Sequence, residues 1–321
     1  VAFLDEALAL RQKGVAAPIL VLGATRPEDV NIAAENNLTL TIFQEEWVIQ
    51  AKEILRDDLN IRVHIKLDTG MGRIGLRDST ELKRLESLIN RDEKFHLDGV
   101  FTHFATADGE DLSYFHEQLR RFHELVQTFE SKPRMIHASN SAASLRKLPA
   151  AFNAIRFGIA MYGLTPSPEM KKELPFQLQE AFSLRTKVVH VKKLAAGEKI
   201  SYGATYEAQT DEWIGTLPVG YADGWIRKLQ GQDVLINGIR VPIVGRICMD
   251  QCMIKLPYQV EVGTIVTLIG RDNQDYTPID EIAAKLDTIN YEIPCMISSR
   301  VPRIYMKSGK VTNVSNSIID K

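Results

Sequence analysis

The sequence predicts an α/β fold: a (β/α)8 barrel of the TIM type over residues 1–177, followed by a mostly β C-terminal domain over residues 178–321. The first half alternates short apolar strands with helical patterns, a rhythm typical of parallel βαβ units. Near residue 170 several prolines interrupt the chain, and helices become scarce beyond them. Because no Gly-rich dinucleotide fingerprint follows any strand, a Rossmann-type sheet is disfavoured.

The elements of the first half can be placed in order along the chain. Short apolar runs predict strands at residues 18–23, 38–43, 61–67, 97–103, 135–138 and 154–158. Apolar residues at three- and four-residue spacing predict helices at residues 4–13, 78–90 and 113–129. Residues 25–28 (TRPE) carry an N-cap and capping-box pattern and predict one further helix start.

The strand count falls one short of a closed barrel. Residues 1–3 resemble the tail of a strand, which brings the total to seven, whereas such a barrel closes with eight. A gap of one strand would leave two unpaired sheet edges. We therefore expect the first strand and helix to lie in an N-terminal segment outside these 321 residues.

The second half is predicted to be mostly β. Strand-like runs lie at residues 184–192, 213–219, 234–244, 248–256 and 264–269. Asn237 and Gly238 form a strong hairpin signal, since both turn positions require a positive φ. One short helix is expected at residues 279–286, directly after Pro278.

Composition and charge exclude several classes of function. The formal charge is −2 and the isoelectric point about 6.4, so neither nucleic acid nor an anionic membrane surface is an expected partner. No apolar run is long enough to span a membrane, and we expect no signal peptide. Cys248, Cys252 and Cys295 cannot all pair, and no zinc-ligand spacing surrounds them, so we expect a cytoplasmic protein without a metal.

Residues 64–75 (HIKLDTGMGRIG) are the most informative stretch. An alternating strand runs into a loop with three glycines and Arg73. Glycines let the backbone approach a ligand closely, and a guanidinium is a forked donor suited to a carboxylate or phosphate. An ordinary strand-to-helix turn would give the same pattern.

Further motifs join this loop. They are Asn140-Ser141-Ala142-Ala143, residues 155–163 (IRFGIAMYG), Ser201-Tyr202-Gly203, residues 246–250 (RICMD) and residues 289–292 (INYE). In register over essentially the whole chain, they closely resemble alanine racemases. The resemblance implies a pyridoxal 5'-phosphate (PLP) enzyme that interconverts L- and D-alanine, supplying D-alanine for peptidoglycan. It also implies a head-to-tail homodimer whose active sites are built from both subunits.

The resemblance implies a set of cofactor-binding residues. Arg156 matches the arginine that contacts the pyridine nitrogen, and because arginine keeps its proton it would bind the ring without protonating it. The family's phosphate ligands match Asn140, Ser141, Gly158, Ile159 and Tyr291. Alternatively, Arg156 forms a surface ion pair. Ser141 is either a plain N-cap or an N-cap that also binds phosphate.

Tyr202 is the residue we expect to carry one proton transfer. A phenol is a poor base near neutral pH unless a neighbour favours its phenolate. The family supplies this through a tyrosine–histidine–arginine chain that maps onto Tyr202, His103 and Arg156. A lone strand histidine is otherwise a satisfied core group. The remaining histidines are interpreted as structural or surface residues: His64, His96, His116, His123, His137 and His190.

Racemisation requires a second base on the opposite face of the substrate. In the family this is the Schiff-base lysine, within a motif of the type Lys-Ala-Asn-Ala-Tyr-Gly-His, which does not occur in this sequence. Lys66 matches a different lysine, often carbamylated, which orients the arginine matching Arg73. We therefore predict that the 321 residues alone are inactive.

The resemblance also implies the substrate contacts. Arg73 would bind the substrate carboxylate or a cofactor oxygen, together with the backbone N–H of Met249 from the other subunit. Asp250, Arg246 and Asp108 match residues that line the substrate corridor, although Arg246 and Asp108 fit a role as surface charges equally well. Three other functions stay open: a racemase of broader specificity, acting on serine or lysine; a non-catalytic PLP carrier on the same barrel; and a decarboxylase of the same fold type, which the Arg156 and Tyr202 segments match less well.

Overall fold

The computed structural model describes residues 1–320 and divides the chain into two compact units. The first unit holds Val1–Met161 and Thr165–Leu178. The second holds Tyr162–Leu164 and the chain from Gln179 onward. None of the described helices is both long and apolar enough to cross a lipid bilayer.

The first unit is built on a parallel sheet of five strands in sequential order. The strands are β1 (Ile19–Val21), β2 (Leu38–Ile42), β3 (Ile61–Lys66), β4 (Phe95–Phe101) and β5 (Met135–His137). Each strand pairs in parallel with the next. Sequential parallel order with intervening helices is the barrel-type βα repeat, which confirms the predicted fold class.

Six helices accompany this sheet: α1 (Leu4–Gln12), α2 (Val30–Glu35), α3 (Glu45–Ile54), α4 (Ser79–Asn90), α5 (Ser113–Val126) and α6 (Ser141–Leu145). Helix α4 begins where Asp78 accepts hydrogen bonds from the backbone N–H groups of Thr80 and Glu81, at 2.8 and 3.0 Å. Helix α5 buries Phe115, Leu119 and Phe122 along one face, as their spacing predicts.

Strand β3 is buried on both faces, as expected for a sheet covered by helices. Because side chains alternate along a strand, Val63 and Ile65 share one face, and His64 and Lys66 share the other. The apolar face belongs to a continuous core of strand and helix residues. The opposite face therefore carries two buried basic side chains, which an ordinary core would exclude.

Two local predictions in this unit are wrong. Residues 154–158 form no strand beyond a single bridge between His137 and Ala154. The side chain of Asn153 replaces a neighbouring strand at this edge of β5. Its Oδ1 accepts the N–H of Ile136 and its Nδ2 donates to the carbonyl of Arg134, both at 2.8 Å. The helix start predicted at residues 25–28 is confirmed, because a 3-10 turn at Pro27–Asp29 leads directly into α2, but its capping box is wrong: Arg26 pairs with Asp29 instead.

The second unit is centred on an antiparallel sheet. The strands are β6 (Leu184–Lys187), β7 (His190–Leu194), β8 (Lys199–Ile200), β9 (Tyr206–Glu207), β10 (Glu212–Leu217), β11 (Asp233–Ile236), β12 (Ile239–Val244), β13 (Cys252–Leu256), β14 (Ile265–Asp272), β15 (Asp275–Thr277), β16 (Arg303–Lys307) and β17 (Lys310–Ser315). The main sheet has the order β15-β14-β11-β12-β13-β10-β7, with β6 paired to β14. The helices are α7 (Ile279–Leu286) and α8 (Glu292–Met296).

The hairpin signal in this unit is confirmed, and two strand bounds are wrong. Asn237 and Gly238 join β11 to β12 with φ values of 52° and 78°. The predicted strand at residues 184–192 is two strands, β6 and β7. The predicted strand at residues 248–256 begins only at Cys252, because the N–H of Cys248 folds back onto the carbonyl of Gln251 at 2.8 Å.

Candidate active site

Lys66 ends strand β3 with a buried amine. The residue is 3% exposed, and its Nζ has no hydrogen-bond partner among residues 1–320. Nζ lies 4.7 Å from the centroid of the Phe101 ring. Burial, reinforced by the charges of Arg156 and Arg73, lowers the pKa of Lys66 to about 7. A substantial fraction of this amine is therefore uncharged and nucleophilic near neutral pH.

Backbone hydrogen bonds join the two ends of the loop that follows β3. The N–H of Asp68 donates to the carbonyl of Leu76 at 2.8 Å, and the N–H of Leu76 donates to the carbonyl of Lys66 at 3.0 Å. Oδ1 of Asp68 accepts the N–H groups of Gly70 and Gly72 at 3.1 and 2.9 Å. This loop carries the exposed Arg73, whose guanidinium makes no hydrogen bond or ion pair within the described chain. Arg73 is thus free to bind an anion.

Arg156 donates its four Nη hydrogens to five protein acceptors. Nη2 contacts the carbonyls of Thr102 and Ala138 at 2.6 and 2.9 Å and Nδ1 of His103 at 3.3 Å. Nη1 contacts Nδ1 and the carbonyl of His137 at 2.6 and 3.3 Å. Nε–H is the one donor left without a partner in the described part of the chain. Burial lowers the pKa of Arg156 to about 10, so the group stays charged at neutral pH.

A buried chain of side chains continues from Arg156. Because a guanidinium only donates, Nδ1 of His137 must accept and its Nε2 must carry the proton. Nε2 of His137 lies 3.0 Å from Nδ1 of His64, and Nε2 of His64 lies 3.5 Å from Oδ2 of Asp98. Arg134 forms a bidentate ion pair with Asp98: its Nε and Nη2 donate to Oδ1 and Oδ2 at 2.8 and 2.9 Å. These contacts fix the tautomers of both imidazoles.

His64 and His137 are buried, His103 is half-buried, and all three are neutral. Burial is the main cause: it lowers the pKa of His64 to about 4 and that of His103 to about 3, and it lowers the pKa of His137 still further. The nearby charge of Arg156 adds to the effect on His103 and His137. Since Nδ1 of His103 accepts from Arg156, its Nε2–H is available to donate to another group.

The hydroxyl oxygen of Ser141 accepts two backbone hydrogen bonds. Its Oγ accepts the N–H groups of Gly158 and Ala160, at 3.0 and 3.5 Å. A Cβ on residue 158 would stand 4.0 Å from that oxygen. The N–H of Ile159 has no acceptor among the residues described. The alternative that Ser141 is a plain N-cap is wrong, because Asn140 caps α6 by accepting the N–H of Ala143 at 3.0 Å.

The second unit presents Tyr202 on a short turn. Its side chain is 70% exposed, and its hydroxyl has no hydrogen-bond partner within residues 1–320. The preceding Ser201 is fixed to Arg246, since its Oγ donates to the carbonyl of Arg246 and accepts its N–H, both at 2.8 Å. A cavity of about 270 Å³ adjoins this turn; its lining includes Tyr202, Tyr221, Arg227, Arg246 and Cys248.

Met249 and Asp250 lie in a braced loop of the same unit. The carbonyl of Met249 accepts the N–H of Ala222 at 3.0 Å, and its side chain is 52% exposed. Arg300 bridges Asp250 and Asp223, with N–O distances of 2.7 and 3.3 Å. Tyr291 precedes helix α8 and is partly exposed.

The structure thus brings Lys66, His103, Arg156, Ser141 and Gly158 into the first unit, and it holds Tyr202, Arg246, Met249, Asp250 and Tyr291 in the second. Asp108 lies in the segment after β4, where its carbonyl accepts from Ser167 at 3.0 Å. Sequence reasoning missed the contact of His137 with Arg156 and the role of His64 behind it. One signal was available: His64 and Lys66 are two residues apart on a buried strand, so they share a face.

Comparison with known proteins identifies the family. Residues 1–166 match "Alanine racemase, N-terminal domain" and residues 181–305 match "Alanine racemase, C-terminal domain". The alanine racemase of Geobacillus kaustophilus is 56% identical over 318 residues, covering 99% of this chain and 83% of that protein.

Solved structures agree with this result. The crystal structure of alanine racemase from Bacillus anthracis with bound L-Ala-P is 52% identical, has a TM-score of 0.96, and is matched over 99% of this chain and 83% of that one. A histidine racemase from Leuconostoc mesenteroides is 33% identical with a TM-score of 0.91, over 95% of this chain and 83% of that one. The chain belongs to the alanine racemase family.

Proposed function

We propose that this chain interconverts L- and D-alanine with bound PLP. The observation that carries the proposal is Arg156: a charged guanidinium whose Nη hydrogens are all committed to protein acceptors, with Nε–H left for a ligand. A permanently charged donor fits a pyridine nitrogen that must accept a hydrogen bond without receiving the proton.

The residues of the first unit fit the rest of the cofactor. The hydroxyl of Ser141 and the backbone N–H groups of Gly158 and Ile159 form a donor set suited to a phosphate. Tyr291 is the proposed additional phosphate ligand. When bound, PLP supplies the electron-withdrawing system that makes the α-hydrogen of an amino acid acidic. Arg156, by keeping its proton, limits this withdrawal and favours return of a proton to the α-carbon.

Tyr202 is the proposed base on one face of the substrate. The Nε2–H of His103 faces outward from the Arg156 contact and can donate to a phenol oxygen, which favours the phenolate form that accepts a proton. We propose that Tyr202 and Met249 serve the site of the partner subunit in a homodimer. Their exposure and the absence of a hydroxyl partner for Tyr202 in the described chain support this role.

Arg73 and Lys66 are the proposed carboxylate-binding pair. Arg73 holds the substrate carboxylate, and Lys66 orients Arg73. An uncharged amine on Lys66 can bond to the carbon of CO2 and release one proton, leaving a carbamate anion for the Arg73 guanidinium. Asp250 and Arg246 are proposed to line the path by which alanine enters, together with Asp108.

The opposite face of the substrate requires a lysine base. No lysine of these 321 residues lies in the motif that the family uses for this purpose. We therefore propose that the 321 residues alone do not racemise alanine. Three cysteines without a disulfide among the described residues fit a reducing compartment such as the cytoplasm.

Two rival functions make different predictions. A broader racemase would turn over larger amino acids, and a histidine racemase is similar to this chain; the bulk of Tyr291 and Met249 favours a small side chain. A PLP carrier would bind the cofactor without racemising any amino acid. Such a carrier requires no proton-transferring residue, so the second unit with Tyr202 favours a racemase.

The test is an assay of the full-length, PLP-loaded protein on alanine, serine, lysine and histidine. The proposal predicts racemisation of alanine with a kcat/KM at least tenfold above that for the others. A higher kcat/KM for a larger amino acid would support the broader racemase. Absorbance of bound PLP without racemisation of any substrate would support the carrier. An active 321-residue chain would contradict the proposed need for the further lysine.

A further inference from the structure

The buried side-chain amide of Gln118, on helix α5, forms hydrogen bonds with the backbone segment that carries His103. Gln118 is 0% exposed. Its Oε1 accepts the N–H of Ala105 at 2.9 Å, and its Nε2 donates to the carbonyl of His103 at 3.1 Å. The two contacts hold the backbone on both sides of Phe104. Rotation of either peptide would break one of them, so the amide fixes this segment in one conformation.

A third contact fixes the peptide between them. Nδ2 of Asn140 donates to the carbonyl of Phe104 at 3.4 Å. The ring of Phe104 is buried, with its centroid 4.5 Å from that of Phe115 on α5. These backbone hydrogen bonds therefore help to position His103, in addition to the contacts of its own ring.

The same face of α5 also contacts the loop that carries Arg73. The hydroxyl of Tyr114, one turn before Gln118, donates to the carbonyl of Gly70 at 2.8 Å. A Cβ on Gly70 would stand 2.4 Å from that hydroxyl and 3.2 Å from Cγ of Gln118. Thr69 and Thr102 join the two segments directly, with 2.8 Å between their hydroxyl oxygens. One helix face thus holds both segments.

We propose that Gln118 is a positioning residue that sets His103 against Arg156. This inference rests on the proposed function, in which Nε2–H of His103 meets the phenol of Tyr202. The Nδ1 contact with Arg156 is already long, at 3.3 Å, so a small shift of the His103 backbone breaks it. A misplacement of about 1 Å at a reacting group costs about a hundredfold in rate.

Two variants separate the two amide contacts. Gln118→Met keeps the length of the side chain and removes both hydrogen bonds. Gln118→Glu keeps an acceptor for the N–H of Ala105 and alters the contact with the carbonyl of His103. Gln127→Met and Gln127→Glu are the matched controls, because Gln127 is exposed at the end of the same helix.

Two readouts are measured on the full-length protein: amide hydrogen exchange at Ala105 without PLP, and kcat and KM for alanine with PLP. For Gln118→Met we expect faster exchange at Ala105 and a kcat lowered about tenfold to a hundredfold, with KM changed less than about threefold. For Gln118→Glu we expect slow exchange at Ala105 and a lowered kcat. The Gln127 variants should match the unsubstituted protein in both readouts.

The inference is overturned if Gln118→Met speeds exchange at Ala105 and keeps a kcat within about twofold of the unsubstituted protein. It is also overturned if every segment exchanges faster, and kcat and KM worsen together, in both Gln118 variants. If Gln118→Met does not fold, an unchanged kcat in Gln118→Glu overturns it. Lack of activity in the unsubstituted protein would instead refute the proposed function, and the exchange at Ala105 would still show whether Gln118 anchors this segment.

Discussion

Nη1 of Arg156 lies 2.6 Å from Nδ1 of His137. Because arginine is an obligatory donor, this one contact determines which nitrogen of His137 is protonated and, through the 3.0 Å contact that follows, which nitrogen of His64 is protonated. Asp98 accepts at the end of the chain and is itself held by Arg134. The orientation of Arg156 is thus set by a series of groups, none of which is proposed to touch the substrate.

Replacing His137 should weaken the fold measurably. In His137→Leu, Arg156 loses an acceptor and His64 loses a donor, both in buried surroundings. Leaving a charged donor without its partner costs about 1.5–3 kcal/mol. Urea denaturation should show a loss of this size, whereas His96→Leu, at an exposed position of β4, should change stability by less than about 0.5 kcal/mol. Equal effects of the two substitutions would contradict the proposed chain.

The histidines with lowered pKa values predict a fold that is sensitive to mild acid. In the unfolded chain a histidine binds a proton near pH 6.5, whereas burial lowers the pKa of His64 to about 4 and that of His103 to about 3. The unfolded state therefore binds more protons between these values, so stability falls as the pH drops from about 6.5 toward 4. We expect the urea midpoint to fall over this range.

A matched variant isolates this contribution. Gln has no imidazole to protonate, so His103→Gln should lose less stability than the unsubstituted protein over the same range of pH. The comparison uses the change in urea midpoint between about pH 7 and pH 5. An identical acid response in both proteins would mean that His103 does not contribute.

The sequence predicts the regular elements better than it predicts the site. The hairpin at Asn237 and Gly238 and the helix at residues 279–286 follow from local backbone preferences, and the structure confirms both. The apolar residues around Met249 predict a strand, because they are compatible with either a strand or a loop. The contacts with residues 221–222 that fold this loop are distant in sequence. His137 was missed for the same reason: only tertiary packing brings it to Arg156.

Lys66 should take up CO2. Burial lowers its pKa to about 7, so the reactive neutral amine is populated at mildly alkaline pH. With ¹³C-bicarbonate we expect one carbamate signal in carbon NMR that is missing in Lys66→Met and retained in Lys83→Met, at an exposed position on α4. The same signal in Lys66→Met would show that another amine carries the carbamate.

Arg300 should matter for substrate binding although it is proposed to touch no substrate. It holds Asp250 and Asp223 together, and its loss leaves two carboxylates close to each other. For Arg300→Met we expect the KM for alanine to rise about tenfold, with a smaller change in kcat, because the Met249 loop becomes mobile. Lys310→Met, at an exposed position of β17, is the control. An unchanged KM would exclude Arg300 from organising this loop.

The most direct test of the two-base assignment is alanine racemisation by Tyr202→Phe in the full-length protein, with Tyr305→Phe, at an exposed position of β16, as the control. Exchange of the α-hydrogen in deuterated water is followed from each enantiomer. The assignment predicts that racemisation falls about 10²–10⁴-fold in both directions, while one enantiomer still exchanges its α-hydrogen. Racemisation near the unsubstituted rate in both directions would contradict the assignment of Tyr202 as a base.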